Sequence, residues 1–366
     1  MAVNLVSKYS SQVDEVIRKG LLSTPGTNND VEFGGAQTVT VYSMETAPLN
    51  DYNANSTTNR YGTPVELQDS TQEMKMTQQK SFTFTIDKTF EADSPEGVRN
   101  AGKALQRQIE QVIIPEIDRY RFAKLSEKAG TKCYGEITAE NAYEAFIAAN
   151  TAITDEEFPV ENRVAFCSNG FIELLKKDSL HFTKATEIAQ DRIVFKGMVG
   201  DCDGVAIIAV PKRRLPAGVS FIITHPMCAP APVKLQEYKI HKDPPGIAGN
   251  LVEGLLYHDI FVFDKKKKAI AVQYGVLGEI GVTIGSSEVS GNVILKAEGD
   301  LNGGTLVYKS GSSVTAPKLG DDISSWTEFE NGGNVAAKSG DKLIVALKDS
   351  EGKCIALSEV NNITAG

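Results

Sequence analysis

Asp201 and Asp203 stand two apart in the run DCDG, the spacing of the first two ligands of a calcium-binding loop. Such a loop needs a third acidic position and a distal Glu to close the coordination shell. Here the apolar VAII follows at once, so the run reads as a turn between strands. His181, His225, His241 and His258 lie in no H-E-x-x-H or H-x-E pattern and have no cysteine partner at zinc spacing. Cys133, Cys167, Cys202, Cys228 and Cys354 are odd in number and form no C-x-x-C pair, which reads as buried free thiols in a reducing compartment. Gly275, Gly278, Gly281 and Gly285 miss the G-x-G-x-x-G spacing, and no helix pattern follows to receive a pyrophosphate. There is no Walker motif and no G-x-S-x-G elbow. The expectation is a chain with no catalytic residue, no cofactor and no metal site.

The one concentrated charge is Lys265–Lys268. It reads as a basic patch for nucleic acid or an acidic partner. It also reads, more plainly, as a solvated hairpin tip where lysine discourages unwanted edge pairing. The chain as a whole carries a formal net charge of −9, which argues against a nucleic-acid binder, since that affinity comes from neutralising phosphates. No run approaches the ~18 apolar residues of a membrane span. The N-terminus shows no signal-peptide pattern, so a cytosolic chain is expected.

The elements that would position any chemistry are mixed. Residues 1–30 hold a short amphipathic helix with Val6, Val13, Val16, Ile17 and Leu21 near one face. AQTVTVYSM (36–44) alternates as a strand. The next thirty-five residues are polar and rich in Asn and Thr, too long for an ordinary connector, so they are disordered or form a protruding arm. SFTFTID (81–87) alternates again, so the arm leaves from one strand and returns into another as an extended hairpin. A helix then starts at Asp93 or Ser94, Pro95 and Glu96, with Val98, Ala101, Leu105, Ile109, Val112 and Ile113 at helical spacing. Pro115 should kink it or start a second helix. Glu116 with Arg119 and Asp118 with Arg121 are (i, i+3) charge pairs. Continuous helix from 95 to 129 would be roughly 50 Å long, a spine rather than an ordinary helix.

Residues 139–158 read as a helix, 162–168 as a buried strand, and NGFIELLKKD begins another helix. Short apolar strands follow to about 235, giving a compact mixed α/β or α+β unit. YHDIFVFD and AIAVQY read as a strand pair joined by the four lysines. From about 280 the chain is rich in Gly, Ser and Thr with short alternating runs, the pattern of a small all-β sandwich. From Ile284 onward it has 7 Lys against 11 Asp or Glu, hence an acidic module. Trp326, the only Trp, is a sandwich-core residue or a carbohydrate stacker, the former being the plainer reading.

The order of these parts, with SFTFTID, IIPEIDRYRFAKL and HDIFVFDKKKKAIAV as its most telling pieces, resembles the major capsid proteins of tailed bacteriophages, the Hong Kong 97 fold. The resemblance spans roughly residues 1–275. It implies an α+β chain with an N-terminal arm (1–30) and a capsid core (31–280). The core divides into an extended loop (43–80), a spine helix (94–130), an axial domain (135–250) and closing peripheral strands (251–275). GGTLVYKSGSSVTAPKLGDDISSWTEF resembles the immunoglobulin-like modules appended to phage structural proteins, which assigns 281–366 to an outward-facing module. The function implied is a non-enzymatic subunit assembling as pentamers and hexamers into an icosahedral head. The candidate inter-subunit contacts are Tyr52, Arg60, Tyr61, Lys75, Glu116, Arg119 and Arg121. The partners implied are other copies, a portal, a separate scaffolding protein, a decoration protein, and double-stranded DNA enclosed without specific binding. There is no membrane partner, and the place is the virion capsid, assembled in the host bacterial cytoplasm. About thirty residues before the first strand leave no room for a fused scaffolding segment. In the family member that crosslinks its subunits an arm lysine does so, but Lys75 and Lys80 lie at the arm's base, so that chemistry is not carried over. An encapsulin-like compartment shell and a surface binding module built on the C-terminal β domain are the alternatives.

Overall fold

The computed structural model describes residues 17, 20–28, 38–44, 47, 49–55, 57–64, 66–67, 69–87, 101–177, 183–184, 197–242, 244–246, 248–287, 289, 291–338 and 340–363. The expected helix start at 93–96, Val6, Val13, Val16, Val98 and His181 lie outside them.

Continuous apolar runs make the central sheet. Strands β1 (Thr38–Met44), β2 (Asp69–Lys75) and β3 (Gln78–Asp87) come first in the chain, then β4 (Thr131–Tyr134), β5 (Val164–Ser168), β6 (Thr183–Lys184), β7 (Met198–Cys202), β8 (Val205–Val210), β9 (Val219–Thr224), β10 (Val233–Lys242), β11 (Gly249–His258) and β12 (Ala271–Tyr274). Seven of these form one sheet in the order β4-β12-β9-β5-β8-β7-β6. VSFIIT in β9 is buried at every position because both faces of the sheet are covered. Among the helices, α1 (Ala101–Gln108) and α2 (Ile114–Lys128) belong to the spine; α3 (Ala142–Asp155) and α4 (Asn169–Lys177) pack on this sheet. Phe171 and Phe221 meet at 4.7 Å between ring centroids, and Phe122 reaches Phe166 at 4.9 Å.

The spine resolves the proline at 115 by widening rather than by breaking. Between α1 and α2 the chain makes a π turn, Ile109–Ile113, in which the Ile114 N–H donates to the Ile109 carbonyl. Pro115 has no N–H, and in a regular α-helix its ring would crowd the carbonyl four residues back. A wider turn just ahead of it absorbs both defects while the helix continues. Ile109, Ile113, Ile114 and Ile117 pack with Val233, Leu256 and Phe82 on a second sheet, of order β10-β11-β3, while Phe122 and Leu125 join the central core. Helix α2 is therefore enclosed by two sheets of its own chain.

Two expected strand partners differ. The arm does form a hairpin, but its return strand is β2, paired with β1 from Thr38↔Lys75 to Met44↔Asp69. The alternating SFTFTID belongs to β3, which pairs with β11. The closing strand pair is not formed either: β11 runs in the second sheet and β12 in the central one. Lys265–Lys268 sit between them in the 3₁₀ turn Asp264–Ala269, not at a hairpin tip.

The C-terminal unit contains β13 (Gly278–Ser286), β14 (Asn292–Glu298), β15 (Thr305–Gly311), β16 (Thr327–Glu328), β17 (Asn334–Ala336), β18 (Lys342–Lys348), β19 (Cys354–Ser358) and β20 (Asn361–Asn362). Strand β13 pairs with β19 in parallel through Gly278–Ile280, then with β14 antiparallel through Gly281–Ser286. One strand thus stitches β13-β14-β17 to β16-β15-β18-β19, and Val293, Leu295, Val335, Leu343 and Val345 fill the space between. This unit is not hung on a tether. Ile280, Ala297, Leu347, Ile355 and Ala356 continue the core of the seven-stranded sheet.

Candidate assembly surfaces

The arm tip exposes large side chains without cover from the rest of the described chain. Leu49, Tyr52, Tyr61 and Leu67 are all exposed. The tip closes on itself: Asn53 N–H donates to the Arg60 carbonyl at 3.0 Å, and Gly62 N–H to the Asn59 carbonyl at 3.0 Å. Asn59 and Gly62 take the left-handed φ that such a closure requires. The rings of Tyr52 and Tyr61 meet edge to face at 5.2 Å. Arg60 is exposed beside them, and exposed Lys75 ends β2.

The arm root, by contrast, is pinned. Asp259 accepts from the Thr77 amide at 2.7 Å, the Thr77 hydroxyl at 3.0 Å and the Tyr120 hydroxyl at 2.9 Å. Burial, with the Asp259 carboxylate beside it, pushes the Tyr120 phenol up to about 12, so it stays a donor. Gln72 donates to the Val262 carbonyl at 3.1 Å. Met74 and Met76 are buried beneath.

The spine candidates separate. Glu116 and Arg119 form the expected pair at 3.2 Å and stay part-exposed; Arg119 also donates to the Arg213 carbonyl. Arg121 is corrected: it is 1% exposed and donates to Ser23 Oγ at 3.1 Å and the Ala231 carbonyl at 2.6 Å. It ties the N-terminal segment to the spine inside one subunit and has no surface to offer a neighbour. Asp118 receives Arg214 at 2.8 Å and the amides of Leu22 and Ser23. Sequence reasoning missed this network. Its signal was present, because Asp118 and Arg121 sit on the same helical stripe as Ile114, Ile117, Phe122 and Leu125.

A second buried node joins the C-terminal unit to the body. Lys132 on β4 meets Asp349 at 3.3 Å, with side chains 1% and 0% exposed. Tyr134 also donates to Asp349, and burial together with that carboxylate holds its phenol far above the usual range. The other oxygen of Asp349 accepts the amides of Glu351 and Lys353, both at 2.9 Å. Lys132 reaches Ser350 Oγ at 2.6 Å, and Ser350 donates to the Glu127 carbonyl of the spine.

The chemistry weighed from the sequence resolves into local structure. Asp203 and Gly204 both take positive φ in the β7–β8 turn; Asp201 accepts the Gly204 amide, and Asp203 accepts Asn150. Both carboxylates are thus committed to the turn and its support. Lys268 pairs with Glu156 at 2.8 Å and Lys266 lies over the Phe263 ring, which leaves Lys265–Lys268 short of a unified patch. Trp326 is half-buried at the edge of a cluster of Val307, Ile323, Ala346 and Cys354, with Lys309 over its ring at 5.8 Å. Among the described residues no three His, Cys, Asp or Glu stand where they could hold a metal, and no helix is long and apolar enough to cross a membrane.

No family model matches the chain, and no curated protein matches it. Solved structures do. A chain of Mycobacterium phage Che8 superposes with a TM-score of 0.50 at 17% identity, covering 66% of this chain and 85% of that one. The mature capsid of bacteriophage PhiM1 gives 0.51 at 11% identity, over 69% and 86%. The capsid of cyanophage P-SCSP1u gives 0.50 at 11% identity, over 68% and 86%. At such identities what is shared is the path of the chain: this protein has the Hong Kong 97-type phage capsid fold.

Proposed function

We propose that this chain is the major subunit of an icosahedral phage head, assembling as pentamers and hexamers around a double-stranded genome. One observation carries the reading beyond fold. The arm is anchored at its root and closed at its tip, yet it holds Leu49, Tyr52 and Tyr61 in water. Order without intrachain cover makes sense where other copies supply the cover. Tyr52, Arg60, Tyr61 and Lys75 are the contacts proposed for neighbouring subunits, with Glu116 and Arg119 at a second surface. No chemistry beyond assembly is assigned, and a portal, a separate scaffolding protein and a decoration protein complete the set of partners.

The C-terminal unit is read as an immunoglobulin-type sandwich on the shell's outer surface. Its support is the strand order: three strands on one side, four with the short β20 on the other, and a first strand that serves both sheets. Electron microscopy and light scattering of the purified chain, alone and with a scaffolding candidate, test the function. Uniform hollow shells, or pentamers and hexamers, are expected. A strict monomer under every condition would overturn the reading.

A further inference from the structure

His258 ends β11 where three strands and the spine meet. It pairs with Gln78 at the start of β3 and with Val233 at the start of β10. Its side chain is 1% exposed, and neither ring nitrogen has a hydrogen-bond partner among the described residues. The Tyr120 ring stands edge-on to it at 5.3 Å. The next residue, Asp259, is the carboxylate that holds Thr77 and Tyr120, and so the arm root to the spine.

A neutral imidazole suits this pocket, whereas an imidazolium does not. The charged and titratable groups around it are Arg121 and Tyr120 on α2, Lys80 on β3, and Asp259. Two of these are cations, Tyr120 is a neutral donor, and the single carboxylate is already engaged by four donors, the fourth being the Ile260 amide. We propose that His258 is an acid-sensitive latch: neutral, it lets the arm root stay seated on the spine, and protonated, it drives Thr77 and β3 off Asp259 and Tyr120. Burial first, then the Arg121 guanidinium, depress its basicity from 6.5 to about 4, with Asp259 opposing. The sign follows. A base whose folded-state affinity for protons is depressed contributes its full stability above about pH 6.5. That contribution is lost as pH falls toward 4, where the opened root, binding the proton more tightly, is favoured by roughly 100-fold relative to neutral pH. The proposal rests on contacts within one chain and stands apart from the shell reading.

Hydrogen exchange of the full-length chain, corrected for intrinsic rates, tests it between pH 7 and 4.5. The amides of Thr77 and Gln78–Phe84 are expected to lose protection by a factor of ten to one hundred or more, while Phe221–Ile223 of β9 hold theirs. His258→Leu should flatten this response. Lys80→Gln, at an exposed position, should shrink it, because removing a neighbouring cation lets His258 take up a proton in place at lower cost. An unchanged acid response in His258→Leu would overturn the proposal. Should that variant not fold, NMR of labelled histidines in the wild-type chain decides. A wild-type chain in which every imidazole titrates near 6.5, with β3 still protected, refutes the latch, and a His258 imidazole neutral down to about pH 4.5, with β3 losing protection as it titrates, sustains it.

Discussion

Asp349→Asn is the sharpest perturbation of the way this chain is built. The substitution keeps the shape and leaves Oδ1 on the amides of Glu351 and Lys353. It removes the charge that pairs with Lys132, whose side chain is shut away from water. Breaking one partner of a buried pair costs about 3–5 kcal/mol, because the remaining ion keeps its desolvation penalty without its attraction. The Tyr134 hydroxyl also loses its carboxylate acceptor, which places the cost toward the upper end of that range. Removing the lysine charge as well, Lys132→Met on top of Asp349→Asn, should restore most of the loss, since no uncompensated buried ion remains and the amides of Glu351 and Lys353 keep their acceptor. Urea melts read this directly. Trp326 is the only tryptophan and lies in the C-terminal unit, so its fluorescence reports that unit, while far-UV circular dichroism weights the helices of the body. In the wild type the two signals should coincide, because Ile355 and Ala356 share a core with Tyr274. In Asp349→Asn the tryptophan transition should move to lower urea and part from the other. A loss under about 1 kcal/mol, or a double variant as unstable as the two single losses combined, would refute the argument.

Three further outcomes are expected. Phe122→Ala empties the junction between spine and central sheet, where Phe122 is fully buried against Phe166, and should lower stability by about 3–5 kcal/mol in the same melts. Gly254→Ala puts a methyl 2.2 Å from the Phe82 ring, so it should cost about 1–3 kcal/mol, checked by thermal melting, with Phe82 displaced from the spine cluster. Replacing residues 47–66 by Asn-Gly should leave the melt unchanged and abolish closed shells in micrographs; a deletion reaching 77 would confuse the two effects, because it also strips Met74, Met76 and Thr77 from the body.

The central domain was legible because its signals are local. VAFCS and VSFIIT are continuous apolar runs, and both are strands buried on two faces. The arm's return strand was not, since in DSTQEMK Met74 is buried while Thr71, Glu73 and Lys75 face water, a pattern with a single apolar residue. SFTFTID has the clearer alternation, but its partner is β11, some 165 residues further along the chain, a pairing that no local pattern encodes. The same limit hid the lysine turn. IFVF looks like a strand in isolation, yet Phe261 and Phe263 donate their amides to the Pro230 and Cys228 carbonyls as the chain crosses between sheets. The docking of the C-terminal unit was illegible for a third reason. Lys132 and Asp349 are 217 residues apart, and each alone reads as surface.

A helix as long as this spine needs cover, and the chain's own sheets supply it. Helix α2 is buried along most of its length, including Asp118, Arg121 and Ser126, and both sheets that cover it belong to the same chain. Its length is satisfied within the subunit. Charged groups on its apolar stripe tie the N-terminal segment, through Ser23 and Leu22, to the Arg214 turn and so fix the body as one piece. The arm is the opposite case, since its order comes from a few contacts at the root and a closed tip, and its apolar groups face out. A rigid body that presents an ordered, uncovered arm is a unit with contacts still to make. It is the arm's exposure, and not the helix's length, that argues for assembly.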